Sequence, residues 1–196
     1  MSRDVLAILQ SIGALKQGHF LFSSGRHGDV YLEKFDLFRN PVAASDVCTG
    51  FVDRFRNERI DVVVGPTTGG ILMAFETARQ LAVAAAFAER SSETGTAREF
   101  RRGTTFEPGS RVLLLDDILT TGGSVRETLA ALDSHPVEVV AVGVLVDRSG
   151  GNVTFGEVPL FALSTQDIAS WNPADCPMCR EGQPLTKPGT TAVAST

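Results

Sequence analysis

The chain has 196 residues, 43% of them apolar and 21% charged, with a formal net charge of −5. That length and composition describe one folded domain with a sizeable core and exclude a long disordered chain. The acidic balance argues against general attraction to nucleic acid, so any bound phosphate must be held by local devices: backbone N–H groups, a helix N-terminus, a metal ion or a few arginines.

In chain order, Val5, Leu6, Ile8, Leu9, Ile12 and Leu15 recur at three- and four-residue steps and predict an amphipathic helix over 3–16, with Gly18 as its stop. Arg3, Asp4 and Lys16 break this segment up, so it is not a secretory leader. Residues 20–38 alternate apolar and polar positions around Ser24-Gly25 and predict short strands with a loop. Asn40 is a good N-cap with Pro41 at the first helical position, and the helix that follows should bury Val42, Val47, Phe51, Val52 and Phe55.

The pattern then changes. Asp61 to Gly65 reads as a buried strand, Gly70 to Val83 as a helix, and Val83 to Ala88 as the next strand. The longest apolar stretch, Leu81 to Ala88, is eight residues, far short of a membrane span. The expected location is therefore the cytoplasm. Residues 90–103 are polar and lack apolar periodicity. Arg111 to Leu115 predicts a strand, Gly123 to Asp133 a helix, and Val139 to Val146 another strand. Apolar strands alternating with helices indicate a parallel sheet covered on both faces. Residues 151–186 read as irregular structure over the sheet, and 187–196 as a disordered tail.

The chemistry concentrates in Val112-Leu113-Leu114-Leu115-Asp116-Asp117-Ile118-Leu119-Thr120-Thr121-Gly122-Gly123-Ser124. A buried strand runs into two carboxylates, then a hydroxyl- and glycine-rich loop, then a helix. Gly122 and Gly123 let backbone N–H groups approach an anion, the helix start adds its dipole, and Thr120, Thr121 and Ser124 add donors. The two acids would repel phosphate but suit sugar hydroxyls or a metal ion. Together these features describe a sugar-phosphate site. Gly65-Pro66-Thr67-Thr68-Gly69-Gly70 repeats the strand–loop–helix pattern one strand away.

The thirteen-residue string resembles the phosphoribosyl diphosphate (PRPP) signature of the type I phosphoribosyltransferases. The resemblance implies their α/β fold: a central, mostly parallel sheet flanked by helices, in one domain over 1–186, with a small hood built from about 1–38 and 151–186. It implies that Thr120, Thr121, Gly122, Gly123 and Ser124 hold the 5-phosphate, that Ile118 and Leu119 also belong to the PRPP site, and that Asp116 and Asp117 face the ribose. Thr68, Gly69 and Gly70 would form the diphosphate loop, and Mg²⁺ would be held mainly through PRPP, with Asp116 as a candidate ligand.

Gly18-His19-Phe20, Ser24-Gly25-Arg26-His27, Phe87-Ala88-Glu89-Arg90, Arg101-Arg102-Gly103, Val146 to Gly151 and Cys176 to Gly182 are similar to the orotate phosphoribosyltransferases, in their shorter bacterial and archaeal branch. That similarity implies transfer of phosphoribosyl from PRPP to orotate, in pyrimidine biosynthesis, by a homodimer with no nucleic-acid or membrane partner. Arg148 would hold the orotate carboxylate through paired hydrogen bonds, which a neutral base could not accept. Thr120 and Tyr31 would complete the orotate site.

Residues 90–103 would be the lid, with Arg98, Arg101 and Arg102 as its cations and Arg90 as a catalytic one. The sequence departs from the family there. From Arg90 to Arg98 the loop has no lysine or histidine, Glu93 stands where another cation is expected, and Ser23 replaces a basic hood residue. Two alternatives stay open: another base as acceptor, or a non-catalytic PRPP-binding regulator. Cys176 and Cys179 form a single Cys-x-x-Cys, half of a zinc ligand set, and read as reduced packing thiols; His135 is the only histidine beyond residue 27.

Overall fold

A computed structural model describes residues 4–22, 24–92, 95–166 and 169–188. Ser23, Glu93 and the tail beyond Pro188 lie outside them.

Five parallel strands carry the fold. They are β3 (Val62–Pro66), β4 (Ala84–Arg90), β6 (Ser110–Leu119), β7 (Val137–Asp147) and β8 (Leu160–Thr165). A short β5 (Arg98–Glu99) runs antiparallel to β4, giving the order β5-β4-β3-β6-β7-β8. The continuous apolar runs reflect burial on two faces. Val63, Leu113 and Leu115 face one core with α3 (Pro41–Phe55) and α4 (Gly69–Leu81), whereas Val64, Val112 and Leu114 face another with α5 (Gly123–Leu132). Asn40 caps α3, accepting from Ala43 N at 3.1 Å.

The strand order creates the crevice. The chain leaves β3 for β4 on one side and comes back to β6 on the other, so the loops after β3 and β6 diverge at the carboxyl edge of the sheet. That is a topological switch point, where open α/β sheets bind ligands.

A second sheet forms the hood. β1 (Leu15–Leu21) and β2 (His27–Leu32) make an antiparallel hairpin, and β9 (Ser170–Trp171) adds to β2 through two residue pairs. Arg26 ties the two segments: its Nε donates to Ser170 Oγ at 2.9 Å and its Nη1 to Asn172 Oδ1 at 3.0 Å.

Several expectations need correction. The first helix, α1, spans only Val5–Ser11, because Gly13, at φ 70°, turns the chain back into β1; Gly18 lies inside that strand. Val5 and Leu9 pack into the main core, so this helix belongs to the body and not to the hood. Val42 is 74% exposed, while Ala43 and Cys48 take buried places on α3. Residues 34–38 form a short helix, α2, not foreseen from the alternation. β8 lies in the segment read as irregular, and it extends the large sheet. Finally, residues 90–103 are not one loop: β4 runs to Arg90, pairs with Arg98, and Ser91 N donates to Ala97 O at 2.9 Å, closing a hairpin.

Candidate active site

Asp116 and Asp117 sit inside β6 at its carboxyl end, both buried. Asp116 accepts from Ser124 Oγ at 2.5 Å and from Asp117 N at 2.8 Å. Burial, then the neighbouring Asp117 carboxylate, push Asp116 up to about 6. Asp117 Oδ1 accepts from Ile118 N at 2.7 Å. Its Oδ2 lies 2.8 Å from Lys34 Nζ, a contact close in distance but outside hydrogen-bond alignment.

Asp117 also joins the two loops. A Cβ on Gly69 would sit 1.7 Å from Asp117 Oδ2, and one on Gly70 would meet Pro66 Cδ at 2.5 Å and Leu115 O at 3.0 Å. Only glycine lets the start of α4 approach β6 this closely. Thr68 is the N-cap of α4, and the Thr67–Thr68 peptide is cis.

Beyond Leu119 the chain enters the second loop. Thr120 and Thr121 are exposed, and Gly122 caps α5 at φ 78°, a left-handed conformation natural to glycine. Ser124 lies in the first turn of α5. Arg126 braces the loop, donating to Thr121 O at 2.6 Å and to Thr154 O at 3.1 Å. The loop therefore offers a helix start and two free hydroxyls within reach of the buried acids, an arrangement suited to a phosphate on a polyhydroxylated sugar.

Next to this loop opens a cleft of about 590 Å³ lined by Phe22, Tyr31, Thr120, Thr121, Arg148 and Ser170, among others. Arg148 is half-buried; its guanidinium lies 5.0 Å from the centre of the Phe22 ring, and its Nε has no hydrogen-bond partner. Burial lowers its pKa, an effect opposed by Tyr31. Asp147 does not pair with Arg148 but accepts from Ser149 N at 2.7 Å. Burial and Glu33 raise the Tyr31 hydroxyl, which favours the neutral donor form. A second cleft, of about 570 Å³, touches Asp61, Val62 and Ala84 at the amino ends of β3 and β4. Ligand loops do not lie at those ends of a parallel sheet, so the first cleft carries the chemistry.

The lid arginines separate into different environments. Arg98 is buried, donating to Glu127 Oε2 at 3.1 Å, Thr67 Oγ1 at 3.0 Å and Ala88 O at 3.3 Å. It is a brace beneath the loop after β3, which corrects its reading as a lid cation. Arg101 donates to Glu99 Oε1 at 2.7 Å and Ser91 O at 2.6 Å, and Arg102 forms a two-point pair with Glu89 at 2.8 and 2.9 Å. Both flank the hairpin and do not stand at its tip. Arg90 is exposed at the end of β4.

Lys34 was missed by the sequence reading. Its signal was weak: a cation opening a five-residue helix, separated from Asp117 by more than eighty positions. His19 and His27 were also missed, and both approach Cys176 and Cys179.

The comparisons with known proteins agree with this geometry. Residues 37–177 match the family model described as phosphoribosyl transferase domain. An orotate phosphoribosyltransferase of Caldanaerobacter subterraneus subsp. tengcongensis is 42% identical over 185 residues, 94% of this chain and 95% of that protein. One from Pelotomaculum thermopropionicum is 43% identical over 194 residues, 98% of this chain and 100% of the relative. The crystal structure of orotate phosphoribosyltransferase from Aeropyrum pernix superposes with a TM-score of 0.71 at 27% identity, covering 82% of this chain and 93% of that one. The two loops at the switch point lie inside the matched region, and the chain belongs to the phosphoribosyltransferase family, in its orotate phosphoribosyltransferase branch.

Proposed function

We propose that the chain transfers the phosphoribosyl group of PRPP to orotate, giving orotidine 5′-monophosphate and diphosphate, in pyrimidine biosynthesis. The observation that carries this reading is the unpartnered Nε of Arg148 in the cleft beside the Thr120–Ser124 loop. A guanidinium there can take the orotate carboxylate in paired hydrogen bonds while the loop holds the sugar phosphate. Adenine offers no such anion.

In this reading the Thr120 and Thr121 hydroxyls, with the N–H groups of Gly122, Gly123 and Ser124, donate to the 5-phosphate, while the Ser124 hydroxyl stays on Asp116. Asp116 and Asp117 accept from the ribose hydroxyls. Thr68, Gly69 and Gly70 face the diphosphate with backbone donors, and Tyr31 closes the orotate side. The oxygen donors of the two acids fit Mg²⁺, and Asp116, whose raised pKa reflects a buried carboxylate without enough positive charge nearby, is the better ligand. Bound with PRPP, Mg²⁺ would supply neutralisation of the diphosphate charge. The chain's own contribution is to align the two substrates and keep water away, since little covalent protein chemistry is required. Lys34, by holding Asp117, orients that carboxylate. Arg90, at the foot of the 91–97 hairpin, adds positive charge without donating a proton near neutral pH.

The family's homodimer fits the surface. Val42, Leu72 and Phe75 are exposed large apolar side chains on α3 and α4, which pack on each other, and a second copy would cover them. Among the described residues no helix is long and apolar enough to cross a membrane.

The test is to mix protein, PRPP, Mg²⁺ and orotate and follow the loss of orotate's ultraviolet absorbance, with adenine, hypoxanthine and uracil alongside. Consumption of orotate alone supports the reading. Turnover of another base replaces orotate as acceptor, and PRPP binding without any turnover makes the chain a regulator.

A further inference from the structure

Outside the cleft, four metal-ligating side chains converge from distant parts of the chain. His19 comes from β1, His27 from β2, Cys176 is the N-cap of the short helix α6 (Pro177–Arg180), and Cys179 lies within it. Their four ligand atoms lie within 4.8 Å of one another. His19 Nε2 is 3.0 Å from His27 Nδ1, 3.5 Å from Cys176 Sγ and 3.7 Å from Cys179 Sγ, and Cys179 Sγ is 3.3 Å from His27 Nδ1. With zinc–nitrogen bonds of about 2.05 Å and zinc–sulfur bonds of about 2.3 Å, a tetrahedron has edges of about 3.3 Å between nitrogens and about 3.6 Å between nitrogen and sulfur. The four separations given above already lie within a few tenths of an ångström of those edges, and the whole group within 4.8 Å.

The surroundings suit an ion as well. Gln183 O can only accept, so at 2.9 Å it takes the Nδ1 proton of His19 and leaves Nε2 with its lone pair toward the cluster. A carbonyl fixing the far nitrogen in this way is how ligating histidines are usually oriented. His19, His27 and Cys176 are buried, with Cys179 at the surface as the point of entry.

We propose that His19, His27, Cys176 and Cys179 bind one zinc ion in a closed tetrahedral site that fastens the hood hairpin to the C-terminal segment. Two sulfurs and two imidazole nitrogens select zinc over magnesium, and four protein ligands leave no open position for catalysis. The fastening has a mechanical purpose. Apart from this cluster and the Gln183 carbonyl, the C-terminal segment meets β1 through Thr186, whose N donates to His19 O at 2.8 Å and whose O accepts from Leu21 N at 2.9 Å. The hairpin so held carries Phe22 and Tyr31 into the cleft wall.

The experiment measures metal in untagged protein purified without chelator, and then replaces the metal with cobalt(II). About one zinc per chain, and a cobalt spectrum with thiolate charge-transfer and tetrahedral d–d bands, are expected. Cys179→Ser and His27→Gln should each lose most of the zinc, whereas Asp116→Asn should keep it. Chelator should lower the melting temperature of the parent protein and leave Cys179→Ser unmoved. Zinc below about a tenth of an equivalent, with no thiolate–cobalt spectrum in the parent protein, overturns the proposal without depending on any variant's folding. So does full zinc retention in the Cys176→Ser/Cys179→Ser double variant.

Discussion

The sheet and the hood stand by different means. In the sheet, Val63, Val64, Leu113, Leu114 and Leu145 are fully buried between helices, and each strand in the middle is hydrogen-bonded on both sides. In the hood, three strands hold few buried apolar residues, Phe20 and Leu32 among them, and the outer strand contributes two residue pairs. A body of the first kind is stabilised by apolar area removed from water, which is spread over many residues. The second kind depends on a few specific contacts between segments far apart in sequence. The cleft lies where the two meet: Thr120 and Thr121 come from the sheet, Phe22 and Tyr31 from the hood, and Arg148 from the end of β7 lies against Phe22.

If that division is right, the largest effect on stability comes from truncating the sheet core. Leu114→Ala should cost about 2–5 kcal/mol of unfolding free energy, because it removes a fully buried side chain between β3, β7 and α5. Chemical denaturation followed by circular dichroism checks this. A cost below about 1 kcal/mol would mean the core is loosely packed and the contrast with the hood overstated.

The next effect is confined to the sheet's loops. Gly69→Ala places a methyl 1.7 Å from the present position of Asp117 Oδ2, so that carboxylate or the start of α4 must shift, and kcat/KM for PRPP should fall on the order of 100-fold while the fold survives. Gly123→Ala is the comparison: within the chain its Cβ meets only ordinary contacts, at 3.8 Å and beyond. A loss there reflects crowding of the bound phosphate and should appear in the KM for PRPP and not in kcat. Steady-state kinetics of the two variants, run side by side, decide the matter. Similar losses in both would mean that the close approach of α4 to Asp117 is not what sets PRPP use.

This pair of glycines also shows what was legible beforehand. The β6 string was readable because strand, acids, loop and helix start are contiguous, and each residue's role follows from its neighbours in sequence. The α3 cap and the inner strands of the parallel sheet were readable for the same reason: local period and local turn chemistry dictate them. What escaped was set by contacts across the chain. Arg98 reads as a lid cation among polar neighbours, yet Glu127 and Thr67 draw it inward. Lys34 meets Asp117 only once α2 has folded over the switch point. β8 was hidden because its burial is partial along its whole length, as befits a strand at the sheet's edge. The Cys-x-x-Cys was read as packing thiols since its two histidines lie some 150 residues earlier, in segments assigned to the hood for other reasons.

Arg148→Ala tests the seam between the regions. Losing charge-assisted hydrogen bonds to a carboxylate should raise the KM for orotate roughly 10- to 100-fold. The KM for PRPP should stay nearly constant, because the sheet's loops are untouched. Equal losses for both substrates, measured in the same absorbance assay, would remove Arg148 from the orotate site.

The smallest effect returns to the sheet and concerns pH. Asp116 is held near 6 in the folded protein against an ordinary value of 3.8. Between about pH 4 and pH 6 the folded state therefore keeps a proton that the unfolded state has released, so this group's contribution makes the fold less stable as pH rises through that window and levels off above it. Asp116→Asn removes the buried charge. The variant should melt close to the parent at pH 4 and a few degrees above it at pH 7.5, on a scale of about 2–4 °C per kcal/mol for a chain of this size. It should at the same time use PRPP poorly, as a carboxylate kept for binding at the expense of stability would require. An offset equal at the two pH values would mean that Asp116 carries no burial penalty in the native state. Repeating the melts with PRPP and Mg²⁺ sharpens the point: the ligands should raise the parent's melting temperature more than the variant's, because positive charge brought beside Asp116 relieves only the ionised side chain.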